Sequence, residues 1–136
     1  MTEPAAELRT VVVERDIAHP PEKIWRALTQ PHLIEEWLIK NDFKAVAGHR
    51  FAFRADWGSV DCKVLAVEPN ETLSYSWDAM GLTSVVTWTL TPTRTGTHVR
   101  MEQAGFRADQ QQAFAGAKYG WNNFFGKLEQ TLAKAA

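Results

Sequence analysis

Four side chains bring polar chemistry into otherwise apolar, strand-like runs: Arg15, Cys62, Tyr75 and Gln103. Arg15 shares strand phase with Val13 and Ile17, so its guanidinium is a candidate to point inward and hold a carboxylate through two parallel hydrogen bonds. The competing reading pairs it with Glu102 or Glu129, or places it at an edge where it reaches water, and that reading is favoured. Gln103, Tyr75 and Cys62 could orient a ligand within an apolar lining. The plainer and favoured reading has Tyr75 hydrogen-bonding to backbone and Cys62 acting as a small apolar filler. Asp56, Asp61 and Asp78 lie beside turns, where carboxylates are ordinarily solvated, and nothing in their spacing builds the geometry of a general acid and base. His19, His32, His49 and His98 fall at turns or strand ends, and no pair has the i, i+4 spacing of helical metal ligands. One cysteine excludes an intrachain disulfide and a thiolate cluster. These residues point to no metal and no cofactor, and to binding rather than catalysis.

The elements that must position these groups follow from periodicity. Residues 8–19 alternate as a strand that Pro20-Pro21 stops. Residues 22–29 and 31–39 read as two short helices separated by Pro31. A meander of about six antiparallel strands follows. Phe51, Phe53, Ala55 and Trp57 share one phase; Leu73, Tyr75 and Trp77 another; then come Val86, Trp88 and Leu90, and Val99, Met101 and Gln103. The run Val64-Leu65-Ala66-Val67 blurs its phase and suggests a bulge. Turns are expected at Gly48, Gly58, Pro69-Asn70, Ala79-Met80-Gly81 and Gly96.

Residues 108–133 form the longest element, an amphipathic helix. Positions 114, 117, 121, 124, 125, 128 and 132 fall within about 60° of Trp121, and Tyr119 and Gln130 fall opposite. A helix of that length, about 35–40 Å, needs a twisted sheet to wrap it. Gly116 and Gly120 leave a smooth strip on one flank, open either to another backbone or to a passing strand. With Gly126, these residues disfavour the helix by about 1 kcal/mol each against Ala, a cost expected to be met by tertiary packing.

The chain has 136 residues, 45% of them hydrophobic and 23% charged, with a formal net charge of -1. That fits one domain over 8–136 with a flexible start at 1–7. The near-neutral balance supplies no field for nucleic acid or an anionic membrane. No apolar stretch is long enough to span a bilayer, and residues 1–7 lack a signal peptide's apolar segment, so a cytoplasmic location is expected. Six tryptophans must be buried or form a recognition surface.

Four local patterns carry a resemblance over 11–132. They are Glu14-Arg15-Asp16-Ile17 leading to Pro20-Pro21-Glu22-Lys23-Ile24-Trp25; Ala27-Leu28-Thr29-Gln30-Pro31 followed by Trp37; Val67-Glu68-Pro69 through Leu73 to Trp77; and Leu90-Thr91-Pro92 with Gly96-Thr97, then Gly105-Phe106 and Gly120-Trp121. In this order they resemble the START-like superfamily, also called SRPBCC or birch-pollen-allergen-like. The nearest likeness is to the domain named after the C-terminal part of the heat-shock-protein-90 ATPase activator. Gly48-His49 stands where relatives often carry paired glycines, and Leu38 where they carry a second aromatic. The resemblance implies an α+β helix-grip fold, a curved antiparallel β-sheet wrapped around a long C-terminal helix, with two short helices after the first strand. It also implies a cavity for a hydrophobic or aromatic small molecule. The expected lining is Trp37, Phe51, Phe53, Trp77, Trp88, Met101, Trp121 and Phe125, with Trp37 near a mouth gated by the short helices. The same rings could instead fill the interior completely. A co-chaperone-like role in the stress response, as a partner of heat-shock protein 90, and a cyclase- or hydrolase-type enzyme are the alternatives. The chain is read as a monomer or weak homodimer.

Overall fold

The computed structural model describes residues 8–56, 58–79 and 81–134. Trp57 and Met80, assigned above to a strand and a turn, lie outside the described residues, as do 1–7. Strand β1 (Arg9–Ile17) is followed by helices α1 (Pro21–Thr29) and α2 (Pro31–Trp37). Next come β2 (Lys40–Asn41), β3 (Arg50–Ala55), β4 (Gly58–Glu68), β5 (Thr72–Ala79), β6 (Leu82–Pro92), β7 (Thr97–Phe106) and helix α3 (Gln111–Lys134). The seven strands form one antiparallel sheet in the order β1-β7-β6-β5-β4-β3-β2. Joining the first strand to the last beside it lets a single sheet curl around α3, which is the helix-grip architecture expected from the sequence.

Proline sets both short helices. Pro21 and Pro31 each occupy a first helical position, where a missing N–H costs nothing. Gln30 between them is extended (φ -97°, ψ 121°), as a residue before proline should be. Ile24, Ala27, Leu28, Ile34 and Trp37 turn inward from this pair.

Strict alternation explains the sheet's inner face. Val86, Trp88 and Leu90 of β6 and Val99, Met101 and Gln103 of β7 are buried, while Val85 is exposed. The β4–β5 register shifts between Val64 and Ala66, so the blurred phase there is a bulge. A second irregularity pairs Arg9 with Phe106 but Thr10 with Ala104, skipping Gly105. Gly105 has φ +125°, and a Cβ there would lie 2.6 Å from the Thr83 carbonyl oxygen and 3.1 Å from Ser84 Cα. Glycine is required at this point for both conformation and space.

Helix α3 begins at Gln111, three residues later than the periodicity suggests. The Gln110 side chain accepts the Arg107 backbone N–H at 2.8 Å, and this holds the preceding residues in a turn. The helix faces as its apolar stripe requires: Phe125 and Leu128 are fully buried, and Tyr119 is 73% exposed. The helix packs mainly against α1, α2 and β1, and Phe125, Leu128 and Leu132 of its C-terminal half are buried. Burying such side chains contributes about 1.5–3 kcal/mol each, which anchors this end of the grip. No helix among the described residues is long and apolar enough to cross a membrane.

Candidate functional site

The aromatic core runs as a chain of ring contacts from α2 towards the N-terminal half of α3. Trp37 meets Trp88 edge-on at 5.6 Å between centroids, Trp88 meets Trp121 at 5.8 Å, and Trp121 meets Trp77 at 5.4 Å. Phe125 lies under Trp88 at 5.4 Å, and Phe53 meets Trp77 at 5.2 Å. Up to Trp88 the interior is filled. Beyond Trp121 it is not.

There the helix and sheet part around a cavity of about 750 Å³. Its sheet wall is Val60, Trp77, Ala79, Leu82 and Gln103, and its helix wall is Ala113, Gly116, Ala117, Gly120, Trp121 and Phe124. The turn 108–110 with Gln111 and Gln112 forms the rim. The cause lies in side-chain length. Alanine and glycine occupy the helix positions that border this space, and they are too short to fill it. A Cβ at Gly116 or Gly120 would meet no heavy atom within 4 Å. The glycine strip therefore borders open space, and neither another backbone nor close packing offsets its cost to the helix. Pockets that hold small molecules commonly measure about 300–1,000 Å³ and are walled mainly by apolar and aromatic groups.

A directed chain of hydrogen bonds crosses the inner wall. The Trp121 indole Nε1–H donates to Gln103 Oε1 at 2.7 Å. Gln103 Nε2 donates to Ser84 Oγ at 3.0 Å, and the Ser84 hydroxyl donates to the Trp77 carbonyl at 2.9 Å. An indole N–H can only donate, so the amide must turn its oxygen to Trp121 and its nitrogen to Ser84. Gln103 is 1% exposed. The lining carries no Lys, Arg or His, and its single ionisable residue is Asp109 on the rim.

The other residues singled out in the sequence lie elsewhere. Trp37 stands in the core rather than at a mouth: it is 1% exposed, and its indole donates to the Ala27 carbonyl at 2.8 Å, tying α2 to α1. Phe51, Phe53, Trp88, Met101 and Phe125 are buried in the packed region. Tyr75 is among them, with its hydroxyl accepting the Trp88 indole at 3.0 Å. Burial pushes the Tyr75 hydroxyl pKa well up, and burial followed by the nearby Asp78, Asp61 and Asp42 pushes the Cys62 thiol up, so both remain neutral. Arg15 is half-buried across α3. It forms an ion pair with Glu129 at 2.7 Å, and its guanidinium lies 5.5 Å from the Phe125 ring centre.

On the outer face of β1 and β7, His98 sits between Glu14 and Asp16 at 2.8 Å from each. Hydrogen bonds to these carboxylates raise the His98 pKa, and the His98 bond lowers that of Glu14. Among the described residues, no group of three or more His, Cys, Asp or Glu is placed to hold a metal ion.

What sequence reasoning missed is the rest of the cavity wall, Val60, Ala79, Leu82, Ala113, Ala117 and Phe124, with Ser84 behind Gln103. The signal was present in Ala113-x-x-Gly116-Ala117-x-x-Gly120, a run of small residues along the flank of the inward stripe.

Comparison with known proteins agrees with this fold. The family model described as Activator of Hsp90 ATPase homolog 1-like protein matches residues 18–133. The crystal structure of MLL2253 from Mesorhizobium loti is 67% identical, with TM-score 0.92, over 94% of this chain and 99% of that one. The solution structure of Bacillus halodurans BH1534 is 26% identical, with TM-score 0.81, over 91% of this chain and 96% of that one. CalU16 from Micromonospora echinospora is 25% identical, with TM-score 0.82, over 98% and 82%. A comparison with curated proteins gives no match.

Proposed function

Because this chain belongs to the family described as Activator of Hsp90 ATPase homolog 1-like protein, and because its helix and sheet part around an aromatic-walled cavity, we propose that it binds a small apolar or aromatic molecule there. The observation that carries this reading is the open volume beside Trp77 and Trp121, bounded by Gly116 and Gly120 where larger residues would close it. A core selected for stability alone would fill such a space, since interiors pack to a density of about 0.74. A ligand that enters it exchanges water for ring faces and hydrocarbon, and gains about 25 cal/mol for each Å² of apolar surface removed from water.

Binding without chemistry fits the lining better than catalysis. Proton transfer needs a titratable group within hydrogen-bond reach of the substrate. The polar groups of the inner wall are a carboxamide, a hydroxyl and an indole, all engaged with one another.

The test is a titration with N-phenyl-1-naphthylamine, a neutral dye that brightens in apolar surroundings. Saturable brightening with quenching of tryptophan emission supports the reading. An unsaturable, linear response would show that the cavity does not take up such molecules. A co-chaperone role draws its support from the family's description. Stimulation of ATP hydrolysis by the host's heat-shock protein 90 would support that role, and an unchanged rate would remove it.

A further inference from the structure

We propose that the cavity selects uncharged, flat ring systems that carry a hydrogen-bond acceptor as a substituent, such as an aryl ketone, and that Gln103 is the residue that determines this choice. The inference rests on the binding role proposed above and goes beyond it to the chemical class of ligand.

The selection follows from what the inner wall has left to offer. Trp121 Nε1–H, one hydrogen of Gln103 Nε2, and the Ser84 hydroxyl hydrogen are each committed, in one direction, to the next group along. The second hydrogen of Gln103 Nε2 has no acceptor among the described residues. An oxygen that already accepts one bond is satisfied, whereas a buried N–H without an acceptor is costly. The residual demand of this wall is therefore for an acceptor. Because Trp121 fixes the oxygen side of the amide, the side chain cannot flip to offer its oxygen to a donor ligand without breaking the 2.7 Å bond.

Charge and shape narrow the class further. The lining provides no cation to a carboxylate or sulfonate, and Asp109 on the rim is paired with Arg107 at 3.2 Å. An anionic ligand would lose its hydration with no compensating partner. Gly116 and Gly120 lie one helical turn apart with no side chains, so the helix presents a level surface opposite Trp77. A planar ring can lie against that surface and place its substituent at Gln103, about 2.9 Å from Nε2.

The experiment compares four probes of similar shape on the full chain by isothermal titration calorimetry at pH 7.5. They are 2-acetonaphthone (acceptor), 2-isopropylnaphthalene (neither acceptor nor donor), 2-naphthol (donor) and 2-naphthoate (anionic acceptor). The ketone should bind about three- to tenfold more tightly than the hydrocarbon, the margin of one hydrogen bond, and more tightly than the naphthol and the naphthoate. Gln103→Glu, which keeps an oxygen for the Trp121 indole and removes the spare amide hydrogen, should abolish the ketone's margin over the hydrocarbon. If that variant fails to fold, the order among the four probes on the unaltered chain still decides. Equal binding of ketone and hydrocarbon, or tightest binding of the naphthol or naphthoate, overturns the selectivity while leaving the cavity as a binding site. Failure of all four to bind overturns both.

Discussion

Replacing the two glycines that border the cavity should separate stability from binding. Gly116 and Gly120 lie inside α3, and a Cβ at either meets nothing within 4 Å. Gly126 shares that freedom and does not line the cavity. In a helix interior, Gly→Ala gains about 0.5–1 kcal/mol when the new methyl group meets no obstacle. Each of Gly116→Ala, Gly120→Ala and Gly126→Ala should therefore raise stability by about that amount, or Tm by about 2–5 °C for a chain of this size. Leucine has a helix propensity close to alanine's, and at Gly120 its side chain would extend into the open volume. Gly120→Leu should keep the gain in Tm and abolish saturable dye binding, whereas Gly126→Ala should keep both the gain and the binding. The assays are urea denaturation followed by tryptophan emission, and the dye titration. The reasoning is refuted if Gly120→Leu lowers stability by more than about 1 kcal/mol, as overpacking of a filled core would. Undiminished dye binding by that variant refutes it equally.

Other perturbations probe the supports of the site. Trp121→Ala removes a side chain that is 2% exposed and leaves Gln103 Oε1 without its donor; urea denaturation should show a loss of about 3–5 kcal/mol. Gly105→Ala forces a Cβ onto the Thr83 carbonyl at a positive φ and should cost about 1–3 kcal/mol in the same assay, with the disturbance passing to Ser84 and so to Gln103. The pKa of His98, followed by NMR of its ring, should lie above the usual value near 6.5, since both neighbouring carboxylates favour the charged ring; a midpoint at or below that value would contradict the geometry. Because the folded-state pKa is raised, the contribution of His98 to stability is fully present below about pH 6.5 and fades as pH rises through the higher folded value. His98→Gln should flatten that dependence.

The fold was legible because its signals are periodic and local. Val86-Val99 alternation, proline at 21 and 31, and the 114–132 stripe each state which way a side chain turns, and the phase break at Val64–Ala66 announced a bulge. The site was less legible because periodicity gives a face and not a depth. Phe53, Trp77, Trp88 and Trp121 share the inward phase, yet Phe53 and Trp88 are packed on all sides while Trp77 and Trp121 border open space. The difference is set by where α3 parts from the sheet, and that depends on residues of no chemical interest, Ala113, Gly116, Ala117 and Gly120. Arg15 follows the favoured reading of the sequence, an acidic partner at a sheet edge. Its phase is inward, but β1 is an edge strand, so a long side chain crosses the helix and meets Glu129 near the surface.

The most direct measurement is an NMR titration of ¹⁵N-labelled protein with 2-acetonaphthone, followed at the tryptophan indole and glycine amide resonances. Saturable shifts at Trp77, Trp121, Gly116 and Gly120 and at the Gln103 side-chain amide, with Trp37 and Tyr119 nearly still, are the expected result. Shifts that fail to saturate, or that centre on residues away from the space between β5 and the first turns of α3, would contradict it.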